Sequence, residues 1–306
     1  MIASFVHEAL FYRDSDDYLA GTVPFVEAAL AGGEPVLVAV PGPRIDALGG
    51  ALGARAVDVR FLDMTLAGRN PGTIIPWVLH SFLLQHAGQP VRMIGEPIWA
   101  GRSADEYPAC VQHEALINVA FAGQVARILC PYDTGALGRD VLDDAARTHP
   151  VLVDVDARTD SAAYTDPDAM VAAFNQPFAE PVPGAAALDF DAPSLPSVRR
   201  FVALHAGRAG LSRGRVADLQ LAANELAANA IVHGGGGGRL RMWRAARQVV
   251  CEVRDRGRAV ARLAGRVPPG PDSLGGRGLV LVNFVSDLVR IHTGPAGTAV
   301  RCYLDI

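Results

Sequence analysis

Four short apolar runs recur along the first half of the chain, each separated from the next by a stretch of helical character. They are Pro35–Pro41 (PVLVAVP), Val57–Asp63 (VDVRFLD), Val91–Glu96 (VRMIGE) and Val125–Pro131 (VARILCP). Runs of this length without strict polar alternation suit strands covered on both faces. Helical patterns fall at Ser15–Ala31, Pro71–His86, Asp105–Phe121 and Gly138–Arg147, and the acidic cluster Asp14–Asp17 offers an N-cap to the first. Strand-then-helix order repeated in this way predicts an open, mostly parallel α/β sheet. A further short helix is predicted at about Asp168–Asn175.

The 306 residues suit about two domains, and 50% hydrophobic against 20% charged residues argues against disorder. Charge divides the chain. Residues 1–184 carry 23 acidic and 11 arginine residues, a net of −12, and residues 185–306 carry 9 and 17, a net of +8. The basic half fits an acidic ligand such as nucleotide phosphates, an acidic partner, or the acidic first half itself; two separately solvated surfaces would look the same. Pro167, Pro177, Pro181, Pro183, Pro193 and Pro196 mark a connector. The division is therefore a domain at 1–175, a Pro/Ala-rich linker at 176–187 and a domain at 188–306.

All 28 basic residues are arginine, which eliminates a Walker A lysine, a Schiff-base lysine and a lysine base. Cys110, Cys130, Cys251 and Cys302 form no Cys-x-x-Cys pair and the eight histidines are scattered, so a structural zinc site is not expected. Cys130 and Cys251 sit in apolar runs and read as small buried hydrophobes of a reduced, cytoplasmic compartment. No signal peptide is visible, and no apolar run approaches the ~20 residues of a membrane span. No helix-turn-helix pattern points to direct nucleic-acid binding. The dipeptides His7-Glu8 and His113-Glu114 invite a phosphoacceptor reading, but His113 falls in a helix between strands and reads as structural.

In an open α/β sheet, ligands sit beyond the carboxyl ends of the strands. Those ends carry Pro41–Arg44, Asp63-Met64, Glu96–Trp99 and Tyr132-Asp133, with Tyr12, Arg13 and Arg102 as further candidates. The mixture suits a small-molecule site, and equally suits strand termini capped by turn residues. The segments Ala9–Arg13, Gly33–Pro41, His113–Asn118, Leu129–Asp133 and Thr148–Pro150 resemble the MEDS sensory domain over roughly residues 5–175. The resemblance implies sensing or protein contact; its ligand does not transfer.

The second half holds the chemistry. Val216–His233 (VADLQLAANELAANAIVH) contains no glycine or proline and predicts a helix of nearly five turns. Glu225 and Asn229, four apart, share a face. They read either as polar residues on an exposed face or as partners of a hydrated magnesium ion. Glycines 234–238 then end the helix. Gly238–Ala245 and Gln248–Asp255 alternate as a hairpin with one packed face. Asp255 and Gly257 follow, allowing close backbone approach to a flat ring and a carboxylate for an exocyclic amine. Gly275, Gly276, Arg277 and Gly278 precede a helix at Leu279–Asp287 and look like a phosphate cradle. Between them Arg262–Leu274, with Pro268, Pro269, Gly270 and Pro271, reads as a mobile lid. A second hairpin, Leu288–His292 and Thr298–Ile306, closes the chain; Thr298 would offer a hydroxyl to a phosphate or merely favour the strand.

In this order the elements resemble the nucleotide-binding boxes of the GHKL ATPase superfamily, the Bergerat fold, and within it the anti-sigma-factor serine/threonine kinases. The fold class implied for the second half is an α/β sandwich. The resemblance implies ATP and Mg2+ as cofactors, Asn229 as the metal ligand and Glu225 as general base. It implies Asp255 at the adenine amine, Gly257 below the ring, and Gly276, Arg277 and Gly278 along the phosphates. Ala259 stands where the family often has glycine. The partners implied are an anti-anti-sigma-type antagonist, a sigma factor, or both, with a homodimer through about Leu195–Ala209. Two other readings stay open: an ATP-dependent binding switch without catalysis, and a histidine-kinase-like sensor whose phosphoacceptor lies on another chain.

Overall fold

The structure, a computed structural model, describes residues 5–154, 157–258, 261–267 and 276–306. It divides into two compact units, Met1–Phe174 and Asn175–Ile306. Among the described residues, no helix is long and apolar enough to cross a membrane.

The first unit is an α/β sheet with strands β1 (Val6–Tyr12), β2 (Val36–Val40), β3 (Val59–Asp63), β4 (Val91–Gly95), β5 (Ala126–Asp133), β6 (Val151–Val153) and β7 (Arg158–Asp160). Their spatial order is β3-β2-β4-β5-β1-β6-β7. All pairings are parallel except β6–β7. Helices α1 (Ser15–Ala31) and α2 (Gly42–Leu52) follow β1 and β2. Asp14 caps α1 by accepting from the N–H groups of Asp16 and Asp17, each at 3.0 Å. The predicted helix at 71–86 is present in three pieces. After α3 (Met64–Ala67), α4 (Pro71–Thr73) widens into a π-helical stretch at Ile74–Leu79 and resumes as α5 (His80–Gln85). Pro76 sits in the wide part, where its missing N–H and bulky ring are accommodated. Helices α6 (Tyr107–Ala120), α7 (Arg139–Thr148) and α8 (Pro167–Ala173) complete the unit. Leu10, Val38, Ile94 and Leu129 from four strands pack with Val26 and Ala29 of α1 in one core.

β1 was not among the predicted apolar runs. His7 and Glu8 interrupt its pattern, yet both are buried, because β1 lies between β5 and β6 and each side chain finds polar partners there. Glu8 accepts from Arg127 at 3.0 Å and from Arg158 at 2.6 Å.

The second unit is a sandwich. Strands β8 (Ala186–Asp191), β9 (Gly237–Ala245), β10 (Gln248–Asp255), β11 (Leu288–Gly294) and β12 (Gly297–Asp305) form an antiparallel sheet in the order β11-β12-β10-β9-β8. Helices α9 (Leu195–Ala209) and α10 (Arg213–His233) pack on one face, with α11 (Gly278–Val285) beside α10. Leu219, Ala223, Leu226, Ala227 and Ala230 of α10 meet Leu240, Val249, Cys251, Val253 and Cys302 of the sheet.

The β9–β10 hairpin is packed on both faces, a correction to the one-sided reading. Glu252, fully buried on the outer face, accepts from Arg241 at 2.6 Å, Arg254 at 2.7 Å and Arg301 at 2.7 Å. The cover comes from residues 175–180, most of which composition assigned to the linker. Asn175 exchanges hydrogen bonds with the backbone of Thr293 at 2.8 and 3.0 Å. Phe178 lies under the Arg301 guanidinium at 4.5 Å, Ala179 accepts from Arg301, and Glu180 reaches Arg241 and Arg254 at 2.8 and 3.2 Å.

Candidate nucleotide site

α10 positions the two polar residues singled out on it. Ser212 caps the helix by accepting from the Arg215 N–H at 3.4 Å. Its apolar stripe faces the sheet, and Glu225 and Asn229 flank that stripe, both half-buried. Among the described residues neither side chain has a hydrogen-bond or ion-pair partner. Their neighbour Asn224 does: it accepts from Arg199 of α9 at 2.9 Å.

Gly278, the first residue of α11, stands opposite them. A methyl group on its Cα would lie 2.9 Å from Glu225 Oε2 and 3.5 Å from Asn229 Nδ2. Glycine lets the start of α11 approach both side chains this closely. The first N–H groups of α11 lack intrahelical acceptors and carry the positive end of its dipole, so a carboxylate, a carboxamide and a helix N-terminus meet here. Arg277 is exposed at the same terminus, and Gly276 before it has φ +87°. Gly275, Ala259 and the proline-rich part of the proposed lid, Pro268–Pro271, lie outside the described residues. The described part, 261–267, forms turns and is tied to α11, where Asn283 Nδ2 donates to Gly265 O at 3.1 Å.

The far end of α10 leads to Asp255. Gly234 terminates the helix, and its carbonyl accepts from the Arg256 N–H at 3.0 Å. A methyl on Gly234 would lie 2.5 Å from Asp255 Cγ, and one on Gly257 would lie 3.0 Å from His233 O. Only glycine lets the helix end and the strand end meet around this carboxylate. Gly257 N–H donates to Asp255 Oδ1 at 2.7 Å. Burial pushes the Asp255 carboxyl above its usual range, and the Gly257 N–H draws it back. Thr298 pairs with Asp255 across β10–β12, and its hydroxyl donates to Gly257 O at 2.7 Å. Thr298 therefore braces the Asp255 end of the arrangement. At 1.5 Å per helical residue, Glu225 and Asn229 lie roughly 13 and 7 Å along the axis from Gly234. A cleft of about 540 Å³ beside Gly235–Gly238 also reaches Asp255, but not Glu225 or Asn229.

In the first unit, part of the predicted set converges at the carboxyl edge. The Arg44 guanidinium lies 4.8 Å from the Tyr12 ring and 5.0 Å from the Tyr18 ring, and bonds Asp133 at 3.1 Å. Tyr12 donates to the buried Glu96 at 3.3 Å. Burial raises the Glu96 carboxyl to about 8, against the opposing pull of Arg44. Other candidates serve structure. Asp63 caps α3 through the Thr65 N–H at 2.9 Å, Arg13 pairs with Asp17 at 2.6 Å, and Arg102 bonds the carbonyls of Pro97 and Gly68 at 2.9 and 2.7 Å.

Sequence reasoning missed one group. His7, Glu114, Cys130 and His149 are all buried, and their ligand-capable atoms lie within 4.8 Å of one another. Burial, with the neighbouring His149, lowers His7 to about 4. The four come from β1, α6, β5 and the loop before β6, so no local spacing announces them.

A mostly parallel α/β unit joined to a helix-backed antiparallel sandwich, with an acid and an amide on one helix and glycines at its end and at the start of the next, has the form of a two-domain protein with a nucleotide-binding module. Residues 6–150 match the family model of MEDS, the MEthanogen/methylotroph, DcmR Sensory domain, and residues 188–304 match that of the histidine kinase-like ATPase domain. The chain thus carries a MEDS domain followed by a histidine kinase-like ATPase domain, a fold that implies ATP binding. No curated protein matches it. Among solved structures, the RsbU and RsbW domains of Rv1364c from Mycobacterium tuberculosis are similar at 21% identity, with a TM-score of 0.31. That match covers 41% of this chain and 33% of the other, so it spans about a third of its relative.

Proposed function

We propose that the protein is a signalling regulator whose C-terminal unit binds ATP with Mg2+ and phosphorylates a serine or threonine of an anti-anti-sigma-type antagonist. Sequestration of a sigma factor by the same unit, control by the N-terminal unit, and a homodimer through α9 belong to this reading. The observation that carries it is the pair Glu225 and Asn229, one turn apart, without hydrogen-bond or ion-pair partners among the described residues, facing the glycine that opens α11.

Each residue has a task there. Asn229 supplies a neutral oxygen suited to a hard cation that keeps most of its waters. Magnesium, when bound, neutralises charge on the phosphates. The N–H groups opening α11, with Arg277, hold the phosphate oxygens, and Asp255 accepts from the adenine amine. Glu225 takes the proton of the attacking hydroxyl as its oxygen bonds to the terminal phosphorus; the bond from phosphorus to the bridging oxygen breaks, and ADP leaves. His7 and His113, the residues a histidine phosphoacceptor reading would use, are each 1% exposed and sit within the first unit's fold.

The test is transfer from radiolabelled ATP to candidate antagonists by wild type, Glu225→Ala and Asn229→Ala. Loss of labelling in Glu225→Ala with ATP affinity retained, and loss of Mg2+-dependent affinity in Asn229→Ala, support the kinase. Equal labelling by all three overturns it. Nucleotide binding without labelling of any antagonist makes the unit a binding switch instead.

A further inference from the structure

The buried group in the first unit has too many lone pairs for its protons. His149 Nδ1 lies 2.8 Å from the Ala145 carbonyl, which can only accept, so Nδ1 carries the hydrogen. His7 Nδ1 lies 3.2 Å from Asn118 Oδ1. That amide is oriented by its nitrogen, which donates to Thr148 O at 2.8 Å, so its oxygen accepts and His7 Nδ1 is also a donor. In both neutral rings Nε2 is then a bare lone pair. Both Nε2 atoms face the same oxygen, Glu114 Oε2, at 3.2 and 3.3 Å. Three acceptors confront one another in a place from which water is excluded. His149 Nε2 and Glu114 Oε1 make no hydrogen bond among the described residues.

Cys130 completes the set, its Sγ 3.4 Å from His7 Nε2 and 3.6 Å from Glu114 Oε2. With bonds of about 2.0–2.1 Å to nitrogen and oxygen and about 2.3 Å to sulfur, a tetrahedral ion spaces its ligand atoms by about 3.3–3.6 Å. Four of the six separations fall at or within a tenth of an ångström of that range, and the other two, from His149 Nε2 to His7 Nε2 and to Cys130 Sγ, are within 4.8 Å, so an ion would draw His149 inward. Charge agrees as well: a divalent cation with one carboxylate, one thiolate and two neutral imidazoles sums to zero, as burial requires. Each imidazole is already held through its other nitrogen by an oxygen, the usual support for a metal-ligating histidine.

We propose that His7, Glu114, Cys130 and His149 form a closed, four-ligand site for a divalent transition-metal ion of the zinc type in the N-terminal unit. Nitrogen, sulfur and oxygen donors in a tetrahedron select zinc-like ions over magnesium or calcium. With all four positions taken by protein, the ion has no place for substrate, so the site fixes β1, β5 and α6 to the loop leading into β6.

A proton provides the rival account. One proton between His149 and Glu114, with the Cys130 thiol donating to His7, satisfies two contacts but leaves His7 Nε2 against Glu114 Oε2. The two accounts separate in the full-length protein. The metal content of untagged protein is measured as purified. The protein is then unfolded with chelator and refolded with Co2+. Support is one equivalent of metal per chain, with visible cobalt bands and a near-ultraviolet thiolate-to-cobalt band. That near-ultraviolet band disappears in Cys130→Ser and persists in Cys251→Ser, whose cysteine lies in the other unit. Chain that is metal-free as purified and refolds with Co2+ without either band overturns the site and leaves the proton account. So does a band that survives Cys130→Ser. Wild type alone decides between the accounts if the variant does not fold.

Discussion

In the first unit Glu114 is fully buried and two imidazoles press on one of its oxygens at 3.2 and 3.3 Å. In the second, Glu225 is half-buried and is approached closely by a glycine, whose added methyl would lie 2.9 Å from its Oε2. The difference lies in what surrounds each carboxylate. Glu114 is enclosed by four elements that contribute side chains to the same point. Glu225 is approached by a single helix terminus whose first residue has no side chain. A site that must admit and release a triphosphate each cycle needs the second arrangement; a site that holds one ion needs the first. Polar groups that are buried and mutually engaged carry stability, whereas polar groups left half-exposed and unpaired carry turnover.

Substitutions within the second unit are the sharpest way to break this contrast. Glu225→Ala removes the proposed base without breaking a hydrogen bond or ion pair among the described residues. Phosphotransfer is expected to fall by about 10²–10⁴-fold, with the denaturation midpoint unchanged. A large loss of stability would show that Glu225 is structural after all. Glu252→Ala is the converse case. It strips the buried partner from Arg241, Arg254 and Arg301, so the unit should lose about 3–5 kcal/mol, read from urea unfolding. An unchanged midpoint would mean that the cover at 175–180 opens to let the arginines reach water.

Gly278→Val tests that close approach. Its first added carbon would sit 2.9 Å from the end of the Glu225 side chain, which can swing aside, so the fold should hold. ATP affinity should weaken by at least about tenfold, about 1.4 kcal/mol, in a calorimetric titration, because the branched side chain displaces Glu225 and crowds the helix terminus proposed to hold the phosphates. Unaltered affinity would move the phosphates away from α11.

How legible all this was follows from where each signal resides. Helix α10 could be read because uninterrupted helix formers and a terminal glycine are local, whereas α9 entered only through the family resemblance. Glu225, Asn229 and Asp255 stood out because polar residues at element ends in an ordered series are local too. β1 was hidden because His7 and Glu8 look exposed until their partners, more than a hundred residues away, are known. The same distance concealed the four-residue cluster, and counting cysteine spacings pointed away from it. Residues 175–180 were hidden differently. Proline density signals a connector, and nothing in Phe178 or Glu180 alone announces that a row of arginines on β9, β10 and β12 awaits them. Thr298 gave an ambiguous signal; its strand register with Asp255 decided its partner.

Glu96 extends the comparison to pH. It is a buried carboxyl like Glu114, but it has one hydroxyl donor instead of two imidazoles, and burial raises it to about 8 from an ordinary 4.5. Folding therefore favours its protonated form. As pH rises from 4.5 towards 8 the unfolded chain releases this proton while the folded chain keeps it, so the unit loses stability. The slope is at most about 1.4 kcal/mol per pH unit, and it ends once the folded carboxyl ionises. Below the ordinary value the contribution is complete. Glu96→Gln, neutral throughout, should flatten this part of the stability profile measured by urea unfolding between mildly acidic and mildly basic pH. A profile identical to wild type would mean that Arg44, with its guanidinium against both Tyr12 and Tyr18, already holds Glu96 ionised. The carboxyl edge would then be a charged recognition site instead of a protonated one.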